Sequence, residues 1–139
     1  MFTLELWAAD TLARALGAGW HCYADCATPG RRDSAPMCIV QLQPGGVAAN
    51  SGGAVQLQPL LSVQLVARRG SGTAAALGEG IAAAVAALHG AAPGEHDGRL
   101  WERLALQSMA HPLVEDEGFI CAELIFATSA RYFGCADSQ

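Results

Sequence analysis

Four groups of residues carry the types and spacing that chemistry needs. Arg68-Arg69-Gly70-Ser71-Gly72-Thr73 sets two guanidinium groups beside a glycine-rich turn that opens a helical pattern. Amides at a helix N-terminus beside arginines can hold an anion. The turn is not a Walker motif or a complete Gly-x-Gly-x-x-Gly, and Ser71 is not in a Gly-x-Ser-x-Gly elbow. A tight turn with a solvated or interfacial arginine pair is the competing reading. His21, Cys22 and Cys26 offer imidazole and thiolate ligands that suit zinc, but no Cys-x-x-Cys or His-x-x-x-His supplies the missing half of a structural site. His96-Asp97 and His111 are ingredients of acid-base chemistry without a motif to assemble them. Glu115-Asp116-Glu117 places three carboxylates in a turn, where they are solvated or pair with Arg68-Arg69 or Arg31-Arg32 of another copy. None of these groups names a cofactor, a metal or a catalytic residue, and the expectation is a protein that is not an enzyme.

The charge balance narrows the classes further. The chain has a net charge of −5, with eight arginines and no lysine. That removes the Walker lysine, the Schiff-base lysine and the serine-lysine pair. An acidic balance also argues against gripping nucleic acid over a broad surface, since such binding works by neutralising phosphates. Five cysteines without a repeated spacing read as reduced thiols rather than a disulfide framework. No apolar run approaches the roughly 18 to 20 residues of a membrane span, and the N-terminus has no basic region ahead of an apolar stretch. The expectation is a soluble chain made in the cytoplasm.

The elements that position these groups centre on residues 55–90. Leu57, Leu61, Val63 and Leu65 alternate with Gln56, Gln58, Ser62, Gln64 and Arg68, the period of a half-buried strand. From Thr73 the spacing changes, and Leu77, Ile81, Val85 and Leu88 fall on one helical stripe. Thr73 is expected to cap that helix and Gly90 to stop it. Residues 3–17 predict a first helix with Leu4, Trp7, Ala8 and Leu12 inward and Glu5, Asp10 and Arg14 toward water. Residues 20–36 read as an ordered loop or a short extended piece. Residues 36–44 predict a strand with Cys38, Val40 and Leu42 on one face and Ile39, Gln41 and Gln43 on the other.

Between the two strands, the segment at about 44–54 contains Gly45, Gly46, Asn50, Gly52 and Gly53 and no charge, which predicts a long mobile hairpin tip that orders against a neighbour. Residues 91–98 read as a polar connection, 100–110 as one strand and 119–133 as the last, with a frayed tail at 134–139. The fold class expected is α+β, a single domain over 1–139. It has the order helix-strand-strand-helix-strand-strand and about four strands, mostly antiparallel or mixed, with both helices on one face.

Three stretches carry a resemblance. They are Pro59-Leu60-Leu61-Ser62-Val63-Gln64-Leu65-Val66-Ala67-Arg68, Ile81 through Val85 to Leu88-His89-Gly90, and Phe119-Ile120-Cys121-Ala122-Glu123-Leu124-Ile125-Phe126. In that order they resemble the tail terminator and minor tail proteins of long-tailed bacteriophages. The resemblance implies a virion protein made in the host cytoplasm that forms a ring, typically a hexamer, at the head-proximal end of the tail tube. Such a ring ends tube polymerisation and presents a surface to the head-completion or neck proteins, with DNA passing through its lumen. It implies homo-oligomer contacts, a tail tube partner and no membrane. Arg68, Arg69, the 115–117 carboxylates and the glycine-rich segment are the candidate subunit or partner surfaces. The His21 to Cys26 stretch has no counterpart in that pattern. Two other readings stay open: a tail-tube or head-completion subunit, and a small α+β enzyme or ligand-binding module using the Arg68 to Thr73 turn.

Overall fold

A computed structural model describes residues 1–27, 36–49, 53–110 and 118–134. The elements are α1 (Phe2–Leu16), β1 (His21–Ala24), β2 (Met37–Ala49), β3 (Ala54–Arg68), α2 (Thr73–Leu88), β4 (Gly94–His96), β5 (Arg99–Trp101), β6 (Ala105–Ala110), β7 (Phe119–Ala127) and β8 (Ala130–Phe133). The main sheet runs β1-β2-β3-β7-β6, and β8 also pairs with β3. Among the described strands, only β1 and β2 are parallel. The architecture is α+β with both helices on one face, as expected, and with more strands than the four anticipated.

The central strand β3 behaves as its alternation dictates. Leu61, Val63 and Leu65 are fully buried with Cys38, Val40, Leu124 and Phe126 under Ala8 and Leu12 of α1 and Leu77, Ala84 and Leu88 of α2. The opposite face is less wet than the pattern suggests. Ser62 is buried and donates to Glu123 Oε2 at 2.7 Å, and Met37, Val66 and Cys121 form a second apolar patch beside Tyr23, Ile39 and Phe119. A sheet face with no helix on it still buries side chains when large residues on adjacent strands cover one another.

Several expectations change. Glu5, assigned to water, is 2 % exposed. Its carboxylate accepts from the Cys26 amide at 2.6 Å and the Leu42 amide at 2.7 Å. Asp25 N–H reaches Val40 O just beyond the β1–β2 ladder, so Glu5 takes over where strand pairing ends and ties α1 to both strands. Thr73 does not cap α2. Its hydroxyl donates back to Arg68 O at 2.5 Å, and the N-cap is Gly72 in the left-handed region. The buried stripe of α2 is Thr73, Leu77, Gly80, Ala84 and Leu88. It is rotated from the anticipated one because glycine at 80 admits the Trp20 ring, which a Cβ there would meet at 2.9 Å.

The polar connection at 91–98 holds strand β4, and Asp97-Gly98, both at positive φ, close a tight hairpin to β5. The single strand expected over 100–110 is two. Glu102 and Leu104 donate to Ser129 O and Ala91 O instead of continuing a ladder, so Trp101 and Leu104 are both buried. Gly134 is held by a hydrogen bond that its N–H donates to Gly53 O at 2.8 Å, and the rest of the expected frayed tail lies outside the described residues.

Candidate functional site

The glycine-rich segment is where the structure departs furthest from a floppy tip. β2 continues through Pro44 to Ala49, with Gly46, Val47, Ala48 and Ala49 paired to Gln58, Leu57, Gln56 and Val55. Pro44 and Gly45 form a bulge opposite Pro59, and the register shifts there between Gln43 and Gly46. Gly45 is required because a Cβ would stand 1.8 Å from Gln58 O, whereas at Gly46 the obstacle is the Gln58 side chain. Gly53 has φ 81 at the end of the hairpin, and Asn50 and Gly52 lie outside the described residues.

The same level of the sheet is interrupted on the other side of β3. β7 and β8 keep one register against it, Leu60 opposite Ala127 and Leu57 opposite Ala130. Between them Thr128 and Ser129 leave the ladder. Thr128 Oγ1 donates to Glu102 O at 2.6 Å, and Gln56 Nε2 donates to Ser129 Oγ at 2.9 Å. A break line thus crosses three strands at Pro44-Gly45, Pro59 and Thr128-Ser129. It opens a cleft of about 400 Å³ whose lining includes Gly46, Gln58, Glu102, Arg103 and Ser129.

Beyond that line stands a three-stranded ribbon made of residues 46–49, 54–57 and 130–133. Its cover is the β4–β5 hairpin and the first turns of α1. Trp101, Leu4 and Ala130 are buried together against Trp7, Leu42 and Tyr132, and the Arg99 guanidinium lies 4.4 Å from the Tyr132 ring centroid. Val47 and Phe133 stay 66 % and 67 % exposed.

The arginine turn sits at the opposite end of β3. Arg68 pairs in register with Phe119 and stacks on its ring at 5.2 Å, and Arg69 N–H donates to Gly118 O at 2.9 Å. Both arginine side chains are exposed. The carboxylates Glu115, Asp116 and Glu117 lie outside the described residues. The groove over the start of α2 is lined by Pro36, Ala67 and Ala76 beside Arg68, Ser71, Gly72 and Thr73. Its Thr73 amide is committed to Gly70 O at 3.3 Å and its hydroxyl to Arg68 O. That geometry commits two of the donors an anion at the helix start would use, while the two guanidinium groups stay in solvent.

The other sequence candidates are dispersed. Cys22 stands directly opposite Cys38 across β1 and β2. Their hydrogen bond lowers the Cys22 thiol pKa, and the same bond with burial pushes Cys38 well up. Cys26 donates weakly to Phe2 O, and the hydrogen bond with Glu5 raises its pKa. His21 is exposed. Among the described residues no three His, Cys, Asp or Glu side chains converge on a metal position. His96 Nε2 contacts Pro93 O at 2.9 Å and its ring packs on Trp7, while Asp97 serves the hairpin turn; His111 lies outside the described residues.

One feature had no sequence signal. The outer side of β6 is closed at its start by the α2 terminus: Leu106 N–H donates to His89 Nδ1 at 3.0 Å, and Gly90 N–H to Leu104 O at 2.7 Å. From Gln107 to Ala110 that side has no partner among the described residues.

No family model matches the chain, and no curated protein matches it. Among solved structures, a chain from the virion of a native gene transfer agent particle superposes with a TM-score of 0.62 at 21% identity. The match covers 94% of this chain and 92% of that one. The two share a fold over more than nine-tenths of each chain.

Proposed function

We propose that this chain is a structural virion protein of a phage-like particle that forms a ring, typically of six copies, on the head-proximal end of the tail tube. The ring ends tube polymerisation, offers an attachment surface to the head or neck, and lets DNA pass without sequence-specific contact. The observation that carries this reading is the fold shared with a virion chain over more than nine-tenths of both chains. At that identity the likeness supports the fold, and the virion role and ring position are inferences from it together with the resemblance in sequence. Among the described residues no three histidine, cysteine or carboxylate side chains converge on one point, and the Thr73 donors of the Arg68 to Thr73 turn are committed within the turn; both favour it over an enzyme or anion-binding module. A tail-tube or head-completion subunit is the second reading, since folds of this kind are reused with different surfaces.

The test is the mass of the purified protein by light scattering, alone and with cognate tail tubes, followed by negative-stain imaging. Rings, or monomers that become caps on tube ends, support the terminator reading. Incorporation along the tube favours the tube subunit, and indifference to tubes ends the proposal. Replacing Arg68 and Arg69 by glutamate is expected to leave the monomer folded, because both side chains are exposed, and to weaken assembly. Unchanged assembly would take those residues out of the interface.

A further inference from the structure

We propose that copies of this chain join edge to edge, the open side of β6 of one copy adding to the open side of residues 46–49 in β2 of the next. This rests on the assembly reading above and specifies its joint. The argument begins with backbone groups. β1 pairs with β2 only from Met37 to Val40, Asp25 and Glu5 serve Val40 and Leu42, and the outer side of 46–49 has no partner among the described residues. At the far side of the sheet β6 pairs, among the described strands, with β7 alone, and its outer side is closed only as far as Leu106. An open strand edge is a template for another strand, and proteins that stay monomeric block such edges with charge or proline. Residues 107–110 are Gln-Ser-Met-Ala and 46–49 are Gly-Val-Ala-Ala, with neither.

The side chains agree with the backbone. Met109 lies opposite Leu124 and Val47 opposite Leu57, so both point to the helix-bearing face. They are 55 % and 66 % exposed, large apolar residues left in solvent. Joined edge to edge, the two become neighbours on one face and cover each other. The edges are at opposite sides of one sheet, so the contact is heterologous, and repeating it generates a ring when the rotation closes.

The stagger suits closure. Met109 stands at the level of Val63 and Val47 at the level of Leu57, an offset of about 20 Å at the usual strand rise. The repeat from β2 to the next copy's β2 crosses four strand spacings, about 19 Å. Equal offset and width incline the strands by about 45°, the upper end of what closed sheets adopt.

The test uses opposite charges within one joint. Val47→Lys and Met109→Glu, made singly, are each expected to weaken assembly of the full chain about tenfold, since each places one unpaired charge against an apolar neighbour. The double variant sets the introduced ammonium of one copy against the introduced carboxylate of the next and is expected to recover to within about threefold of the parent. Circular dichroism and monomer mass establish that each variant is folded. Assembly of the parent with no loss in either single variant overturns the joint while leaving the ring reading intact. Losses that the double variant adds together rather than repairs overturn the pairing of these two edges. A parent that never assembles removes both proposals.

Discussion

The two halves of β3 are chemically similar and physically different. From Leu60 to Arg68 the strand is flanked by β2 and β7 and roofed by two helices, and Leu61, Val63 and Leu65 are sealed. From Ala54 to Leu57 it is flanked by β2 and β8, and Val55 and Leu57 are only half-buried, while the short hairpin and the start of α1 pack beside them on Ala130 and Tyr132 of β8. The division falls at Pro44-Gly45, Pro59 and Thr128-Ser129, where two prolines lack amides and two hydroxyl residues bond elsewhere. One end of the strand is therefore core, and the other is a ladder with apolar groups left over. A fold of this size is stabilised by the first, and the joint proposed above draws its β2 side from the second.

The largest test of that contrast is a matched pair of phenylalanines. Phe126→Ala empties a fully buried site under both helices and is expected to cost about 3 to 5 kcal/mol. Phe133→Ala, at 67 % exposure in the ribbon, should move stability by no more than about 0.5 kcal/mol. Urea unfolding midpoints at constant slope measure both. Comparable losses would mean that the ribbon belongs to the cooperative core and the division is only topological.

A second pair of substitutions probes the break line itself. Gly45→Ala drives a Cβ onto the Gln58 carbonyl, a backbone atom that cannot step aside, while Gly46→Ala meets only the end of the Gln58 side chain. The first is expected to cost about 1 to 3 kcal/mol from forced backbone displacement, the second markedly less. Equal effects would show that the bulge tolerates rearrangement and does not fix the register of the ribbon.

What could be read from the sequence follows the same division. The alternation of β3 and the face assignments of Cys38, Val40 and Leu42 come directly from burial on one side of a sheet, so a period of two reports them. The helix positions are equally plain. The segment around Gly45 was not legible, because glycine and alanine carry no alternation and a bulge resets the phase in mid-strand. Glu5 shows the same limit: its burial depends on amides of Cys26 and Leu42, 21 and 37 residues away, which no local pattern contains. β1 is a four-residue parallel strand whose partner supplies the register. The Asp97-Gly98 turn did carry a signal, a dipeptide that favours hairpins, but strands of three residues on either side were too short to mark it. For the candidate surfaces, the arginine pair is exposed as anticipated, while the open edges of β2 and β6 are properties of topology and appear only once the strands are ordered.

The smallest expected effect compares two arginine-aromatic contacts at the two ends. Arg99 stacks on Tyr132 at 4.4 Å, half-buried between the hairpin and β8, and Arg68 stacks on Phe119 at 5.2 Å in solvent. A cation over a ring contributes about 0.5 to 1 kcal/mol, more where water is excluded. The buried Arg99 Nε has no hydrogen-bond partner among the described residues, and that desolvated donor offsets part of the gain. Arg99→Ala should lower the melting midpoint by about 2 to 4 °C, and Arg68→Ala by less. Were Arg68→Ala the more damaging, the stack at the arginine turn would be holding β7 to β3. A larger loss at Arg99 means that the hairpin is fastened to the ribbon by that stack, so that the cover over Ala130 and Tyr132 depends on one half-buried cation.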